Sequence, residues 1–161
     1  MKMTTQEEYG LRCPLRLGRS GPGQSLTISE LSRQEAISVP TVAKMMRILR
    51  RAALVRSTRG KEGGYTLARA PEQVNVGEAL AFLGGRLYDA RFCERHAGTV
   101  RLCTHTPDCS IRSVWRVLQD AVDGVLARMT LKDLLRTEEE VAASVRPRAV
   151  ALPMLSSRRA G

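Results

Sequence analysis

Three of the four cysteines in this chain lie close enough together to do chemistry. Cys93, Cys103 and Cys109 fall within 17 residues, at separations of ten and six. Three thiolates at that spacing can hold a soft metal centre. None of the pairs has the Cys-x-x-Cys spacing of a zinc ribbon, and three thiols leave one coordination position for another donor. His96, His105 and Asp108 lie in the same stretch. The spacing alone is compatible with an iron–sulfur cluster, with zinc, and with inert or redox-active thiols. Cys13 stands apart on the first expected helix and reads as a small buried hydrophobe. A Cys–His nucleophile, from Cys93 with His96 or Cys103 with His105, needs a supporting motif, and none flanks either pair. The glycines at 60–64 join two strand-like runs and precede no helix, so they form no phosphate-binding loop. The sequence therefore does not read as an enzyme.

The charge points to a partner for the first half of the chain. Of 161 residues, 26 are Lys or Arg and 16 are Asp or Glu, and only four of the basic residues are Lys. Residues 1–70 hold 13 basic and 5 acidic residues, whereas residues 71–161 hold 13 and 11. Arginine suits bidentate contacts to phosphate and guanine, and a localised positive block is the electrostatic footprint of nucleic-acid binding. Six aromatic residues are too few for the stacking platforms of single-strand RNA modules. No apolar stretch reaches the roughly 18 residues that a membrane helix needs. The polar start has no signal-peptide core, which implies a cytoplasmic protein with thiols rather than disulfides.

The elements that must position these groups are legible from periodicity and caps. A first helix is expected after Thr4 or Thr5, with Glu7 or Glu8 completing a capping box. It runs to Gly18, with Pro14 inside it as a kink or a cost of about 3 kcal/mol. Thr27 and Glu30 cap a short second helix. Ser38 opens a third, with Pro40 in its first turn and Val42, Met45, Met46 and Leu49 as its buried stripe. Arg47, Arg50 and Arg51 lie toward its end, where cations suit the helix dipole. Strand-like runs at 54–59 and 65–69 flank the glycine-rich tip. Asn75 with Glu78 caps a fourth helix. Helix, helix, helix, hairpin is the order of a winged helix-turn-helix, in which the third helix enters the major groove. Ile111, Val114, Trp115, Leu118, Val122, Val125, Leu126 and Met129 then define a long helix with one broad apolar face, suited to a twin. Thr130 caps a shorter helix through Leu134 and Leu135, and the Arg-containing end at 146–161 reads as disordered.

These residues together resemble the Rrf2 family of bacterial winged-helix regulators over about residues 1–135. The resemblance rests on the opening Met-Lys-Met-Thr-Thr, on Tyr9-Gly10-Leu11-Arg12, on Ile37-Ser38-Val39-Pro40-Thr41-Val42 and on Leu49-Arg50-Arg51-Ala52-Ala53-Leu54-Val55. Its most specific piece is the wing, Ser57-Thr58-Arg59-Gly60-Lys61-Glu62-Gly63-Gly64-Tyr65-Thr66-Leu67; Cys103, Cys109, Val114-Trp115 and Thr130-Leu131 complete it. It implies a homodimeric transcription factor that binds a double-stranded DNA operator under the control of an iron–sulfur cluster (2Fe-2S or 4Fe-4S) sensing iron, redox or nitric oxide status. Cys93, Cys103 and Cys109 match the family's cluster ligands. Family members take a fourth ligand either from a His after the third Cys, where Arg112 stands here, or from an acidic residue on the partner's first helix, which points to Glu8, with His96 as competitor. Ala36 and Ala53 stand where turn glycines are expected.

The expected architecture is mainly α. It comprises a winged helix-turn-helix DNA-binding domain with a small β-hairpin wing (1–85), a cysteine-containing cluster loop (86–110), a dimerisation helix with a short following helix (111–143) and a basic tail (144–161). Ser38, Pro40, Thr41 and Lys44 are expected on base edges, and Arg59 and Lys61 on phosphate or in the minor groove. The alternative is the same DNA-binding dimer with zinc or no metal in the loop. Neither a membrane nor a small-molecule substrate is expected.

Overall fold

The computed structural model describes residues 3–58, 63–89, 91–98, 103, 105 and 108–145. Helix α1 (Thr5–Arg19) starts at Thr4, whose hydroxyl accepts from the Glu7 amide while the Glu7 carboxylate accepts from the Thr4 amide. The box thus uses Glu7, and the Glu8 carboxylate makes no hydrogen bond or ion pair among the described residues. The expected kink does not end the helix: α1 runs on through Pro14, which is buried. The proline has no N–H for the Gly10 carbonyl. Gly10 is fixed for another reason, because a β-carbon there would lie 2.2 Å from the Leu83 side chain.

Helix α2 (Ile28–Glu35) has the expected Thr27–Glu30 box. Hydrogen bonds from the Thr27 amide and hydroxyl hold the Glu30 carboxyl below its ordinary range. A tight turn leads into α3 (Val39–Arg51), whose four expected stripe residues are all buried. Ser38 occupies the N-cap position, but its hydroxyl pairs with the Thr41 hydroxyl at 2.7 Å instead of capping the backbone. Strands β1 (Val55–Thr58) and β2 (Gly64–Leu67) pair antiparallel, Val55 opposite Leu67 and Thr58 opposite Gly64. Both strands are shorter than the sequence suggests. Leu26 adds an antiparallel bridge to Tyr65, and Gly64 is required there: a β-carbon would lie 2.7 Å from the Leu26 carbonyl oxygen.

Helix α4 (Val76–Leu83) follows its Asn75 cap. A one-turn α5 (Phe92–Arg95) lies in the cysteine segment, where no helix is expected from sequence. The long helix α6 (Ser110–Leu126) begins at Cys109. A 3-10 turn, Asp133–Leu135, replaces the short helix expected after Thr130, and the Thr130 hydroxyl bonded to Asp133 holds that carboxyl below its ordinary range. Helix α7 (Glu138–Val145) takes in Ser144 and Val145, which were expected in the tail. Residues 146–161 lie outside the described residues.

The core lies where α1, α2, α3, the hairpin and α4 meet. Cys13, Leu17, Leu31, Met46, Leu49, Leu54 and Leu83 are all at most 2% exposed, and Leu131 returns to close it. Replacing one of these leucines by alanine costs about 2–5 kcal/mol in such settings. Three helices and a two-stranded hairpin around one core are a winged helix-turn-helix, with α6 standing off it.

Candidate DNA interface and cysteine segment

The outward face of α3 is cationic along its length. Pro40, Lys44, Arg47 and Arg51 are exposed and recur at steps of four, three and four, which places them in one line on the helix surface. Ser38 is exposed beside them and Thr41 is half-buried. The four residues expected on base edges therefore share the amino-terminal part of one open surface. Arg47 and Arg51 extend it, although the dipole alone had accounted for them; their spacing from Lys44 was the available signal. Arg59 and Lys61 lie outside the described residues.

Glu35 anchors this helix pair to α1. Its carboxylate accepts from Arg12 Nε at 2.9 Å and from Arg16 Nε at 2.5 Å, and Arg12 also donates to the Glu35 carbonyl. Nothing in the sequence singled out Glu35, because its partners are 19 and 23 residues away. Ala36, the next residue, has φ +53, as does Ala53 after α3. Both expected turn positions thus adopt the left-handed conformation that favours glycine. Cys13 is fully buried, and burial, with a smaller contribution from Glu35, pushes its thiol from 9.0 up to about 11.

Arg86, Tyr88 and Phe92, at the start of the cysteine segment, lie against α6. Cys93, Cys103 and Cys109 are free and half-buried. Cys109 is the N-cap of α6, where its sulfur accepts from the Arg112 amide at 3.4 Å. Cys93 lines a cleft of about 530 Å³ together with Arg86, Arg112, Arg116 and Gln119. His96 stacks on Phe92, ring centroids 4.2 Å apart, and its Nδ1 lies 2.8 Å from the Phe92 carbonyl. A proton on Nδ1 completes that bond and leaves Nε2 as the acceptor, the tautomer in which histidine ligates metals. His105, Asp108 and Glu8 are exposed.

The donor chemistry fits an iron–sulfur cluster: three free, half-buried thiols, with Cys109 at the start of α6 and Cys93 in a cleft lined by Arg86, Arg112 and Arg116 as well as by Asp89 and Asp120. The geometry is open, since the described residues contain no group of three or more His, Cys, Asp or Glu that could hold one metal ion. Beside the Phe92–Trp115 contact, α6 carries an apolar, exposed surface. Val114 is 56%, Val117 67%, Leu118 43% and Trp115 41% exposed, and Gln119 alone is buried. Ile111, Val114, Trp115 and Leu118 of the stripe are thus open, while Val122, Leu126 and Met129 are half-buried.

Fold and cationic helix together define a winged-helix, DNA-binding transcriptional regulator. A family model described as an iron-dependent transcriptional regulator, Rrf2, matches residues 3–137. The chain belongs to the Rrf2 family. Protein rrf2 of Nitratidesulfovibrio vulgaris is 32% identical over 136 residues, 84% of this chain and 88% of that protein. Among solved structures, CymR, the global cysteine regulator of B. subtilis, superposes with a TM-score of 0.68 at 25% identity, covering 84% of this chain and 96% of that one. IscR of T. potens gives 0.66 at 28% identity, covering 84% and 86%. The family consists of transcriptional regulators, not enzymes. Among the described residues no helix is long and apolar enough to cross a membrane.

Proposed function

We propose that the protein is a homodimeric regulator whose operator affinity depends on an iron–sulfur cluster held by Cys93, Cys103 and Cys109. The observation that supports this best is the pairing of two features on α6. Its N-cap is one of the three thiols, and it carries most of the exposed large apolar side chains among the described residues. Thiol ligation and subunit pairing then act on one rigid rod. Drawing the three sulfurs together orders the segment ahead of α6 and fixes the helix against its domain. The pairing of two α6 helices sets the spacing of two α3 helices, which must match half-sites one DNA turn apart. A bound cluster supplies a redox- and ligand-sensitive centre whose loss releases the segment. A switch of this kind works only when the two states bind DNA differently.

On DNA, Ser38, Pro40, Thr41 and Lys44 read base edges, and Arg59 and Lys61 contact phosphate or the minor groove from the wing. The fourth position falls to Glu8 of the partner subunit, because Glu7 makes the cap and leaves the Glu8 carboxylate free. A carboxylate is a harder, more exchangeable donor to iron than thiolate. His96, already oriented by the Phe92 carbonyl, is the competing donor.

The test is anaerobic purification with visible spectroscopy and iron and sulfide assays. Wild type contains both and absorbs in the visible. Single alanine replacements of Cys93, Cys103 or Cys109 abolish that absorbance, whereas Cys13→Ala keeps it. Glu8→Ala loses absorbance and operator affinity together, whereas His96→Ala retains both. Stoichiometric zinc without iron would establish the redox-silent alternative.

A further inference from the structure

We propose that Gln119 positions the thiol of Cys93, acting through Tyr88; the inference rests on the reading of Cys93 as a cluster ligand. Gln119 is the one buried residue of α6, at 5% exposure, on a helix whose apolar side chains face outward. A buried amide needs its hydrogen bonds made, and here both ends are used. Its Oε1 accepts from the Tyr88 amide at 3.0 Å, and its Nε2 donates to Asp123 at 2.8 Å. The other Asp123 oxygen pairs with Arg86. The orientation is fixed, since a flipped amide would set its NH2 against the Tyr88 N–H and its oxygen against a carboxylate.

Tyr88 passes this constraint to the sulfur. Its backbone is held by Gln119, while its hydroxyl lies 3.8 Å from Cys93 Sγ. Its ring packs on Phe92 at 5.3 Å between centroids, and Phe92 lies 6.3 Å from Trp115 of α6. Cys93 is therefore held to the helix through one hydrogen-bonded route and one aromatic route. Without Gln119, the Tyr88 backbone loses its hydrogen bond to α6, and the half-exposed Arg86–Asp123 pair beside it holds weakly in water.

The experiment measures iodoacetamide alkylation of each cysteine in metal-free, full-length protein, quantified by peptide mass spectrometry. In Gln119→Leu the rate at Cys93 rises about threefold or more as the segment opens locally, while the rates at Cys13 and Cys109 do not change. Glu in place of Gln119 combined with Asp123→Asn swaps donor and acceptor, keeps the bond to the Tyr88 amide, and returns the Cys93 rate to that of wild type. Tyr88→Phe removes only the hydroxyl and raises the Cys93 rate alone, so it decides the matter if Gln119→Leu does not fold. An unchanged Cys93 rate, or a parallel rise at all cysteines, overturns the proposal. Iron content of wild type separates the two readings: protein without iron overturns the cluster assignment and leaves the alkylation result intact.

Discussion

Asn75 joins the start of α4 to the end of α6 through Leu126. Its Oδ1 accepts from the Glu78 amide at 3.0 Å, capping α4, while its Nδ2 donates to the Leu126 carbonyl at 3.1 Å. The same NH2 lies within hydrogen-bonding distance of the Ala127 and Met129 carbonyls, and the Val76 amide donates to the Met129 carbonyl at 2.9 Å. A side chain that closes both helices sets the angle between the reading head and α6. Asn75→Asp keeps the cap but turns a carboxylate toward carbonyl oxygens. Asn75→Ala loses both functions, and about 2–3 kcal/mol of stability goes with the cap and the hydrogen bonds. Urea unfolding of both variants checks this, with Asp expected to recover little of the loss.

Ala36 and Ala53, both at φ +53, hold a conformation that is strained for a residue with a β-carbon. Ala36→Gly and Ala53→Gly are each expected to stabilise the fold by about 0.5–1 kcal/mol, the strain relieved less the extra chain entropy of glycine. Chemical denaturation measures it; a destabilisation at either site would contradict the backbone geometry.

Cys13 gives the stability a distinctive alkaline limb. Its folded-state pKa is raised from 9.0 to about 11 by burial. Below pH 9.0 both states keep the proton, and the contribution is intact. As pH rises toward about 11 the unfolded chain deprotonates first, so stability falls by up to about 2–3 kcal/mol and then levels off. The difference in unfolding free energy between wild type and Cys13→Ala, followed from neutral to alkaline pH, isolates this contribution.

The exposed face of α6 is expected to be the dimer surface. Val117→Asp places a charge at its most exposed apolar position and should raise the dimer dissociation constant by about tenfold or more, equivalent to about 1.4 kcal/mol. Sedimentation velocity reads this directly. Operator affinity should fall with it, because single heads lose the linkage between half-sites.

Much of this was legible in the sequence where local rules decide the outcome. The Thr27–Glu30 box, the buried stripe of α3 and the glycine-rich hairpin follow from caps, period and turn chemistry, and the two αL alanines from the family pattern. Distant polar contacts were not legible. Glu35 reaches back to Arg12 and Arg16, Asn75 to residues at the end of α6, and Gln119 to Tyr88, each across 19 or more residues. Polar residues have no period that marks such partners. Gln119 even occupies the inward side of a helix whose apolar stripe faces out, which period alone cannot orient.

In the proposed regulator, the thiols of the cysteine segment control the DNA affinity of α3. The most direct measurement takes a duplex selected from random sequence by the anaerobic protein and titrates it, at fixed salt, with iron-loaded protein, metal-free protein and Cys109→Ala. The first two are expected to differ by about tenfold or more, and Cys109→Ala to have the metal-free affinity under both conditions. Equal affinity of loaded and metal-free protein, with Thr41→Ala and Lys44→Ala still abolishing selection, would leave a DNA-binding regulator whose thiols play no part in its control.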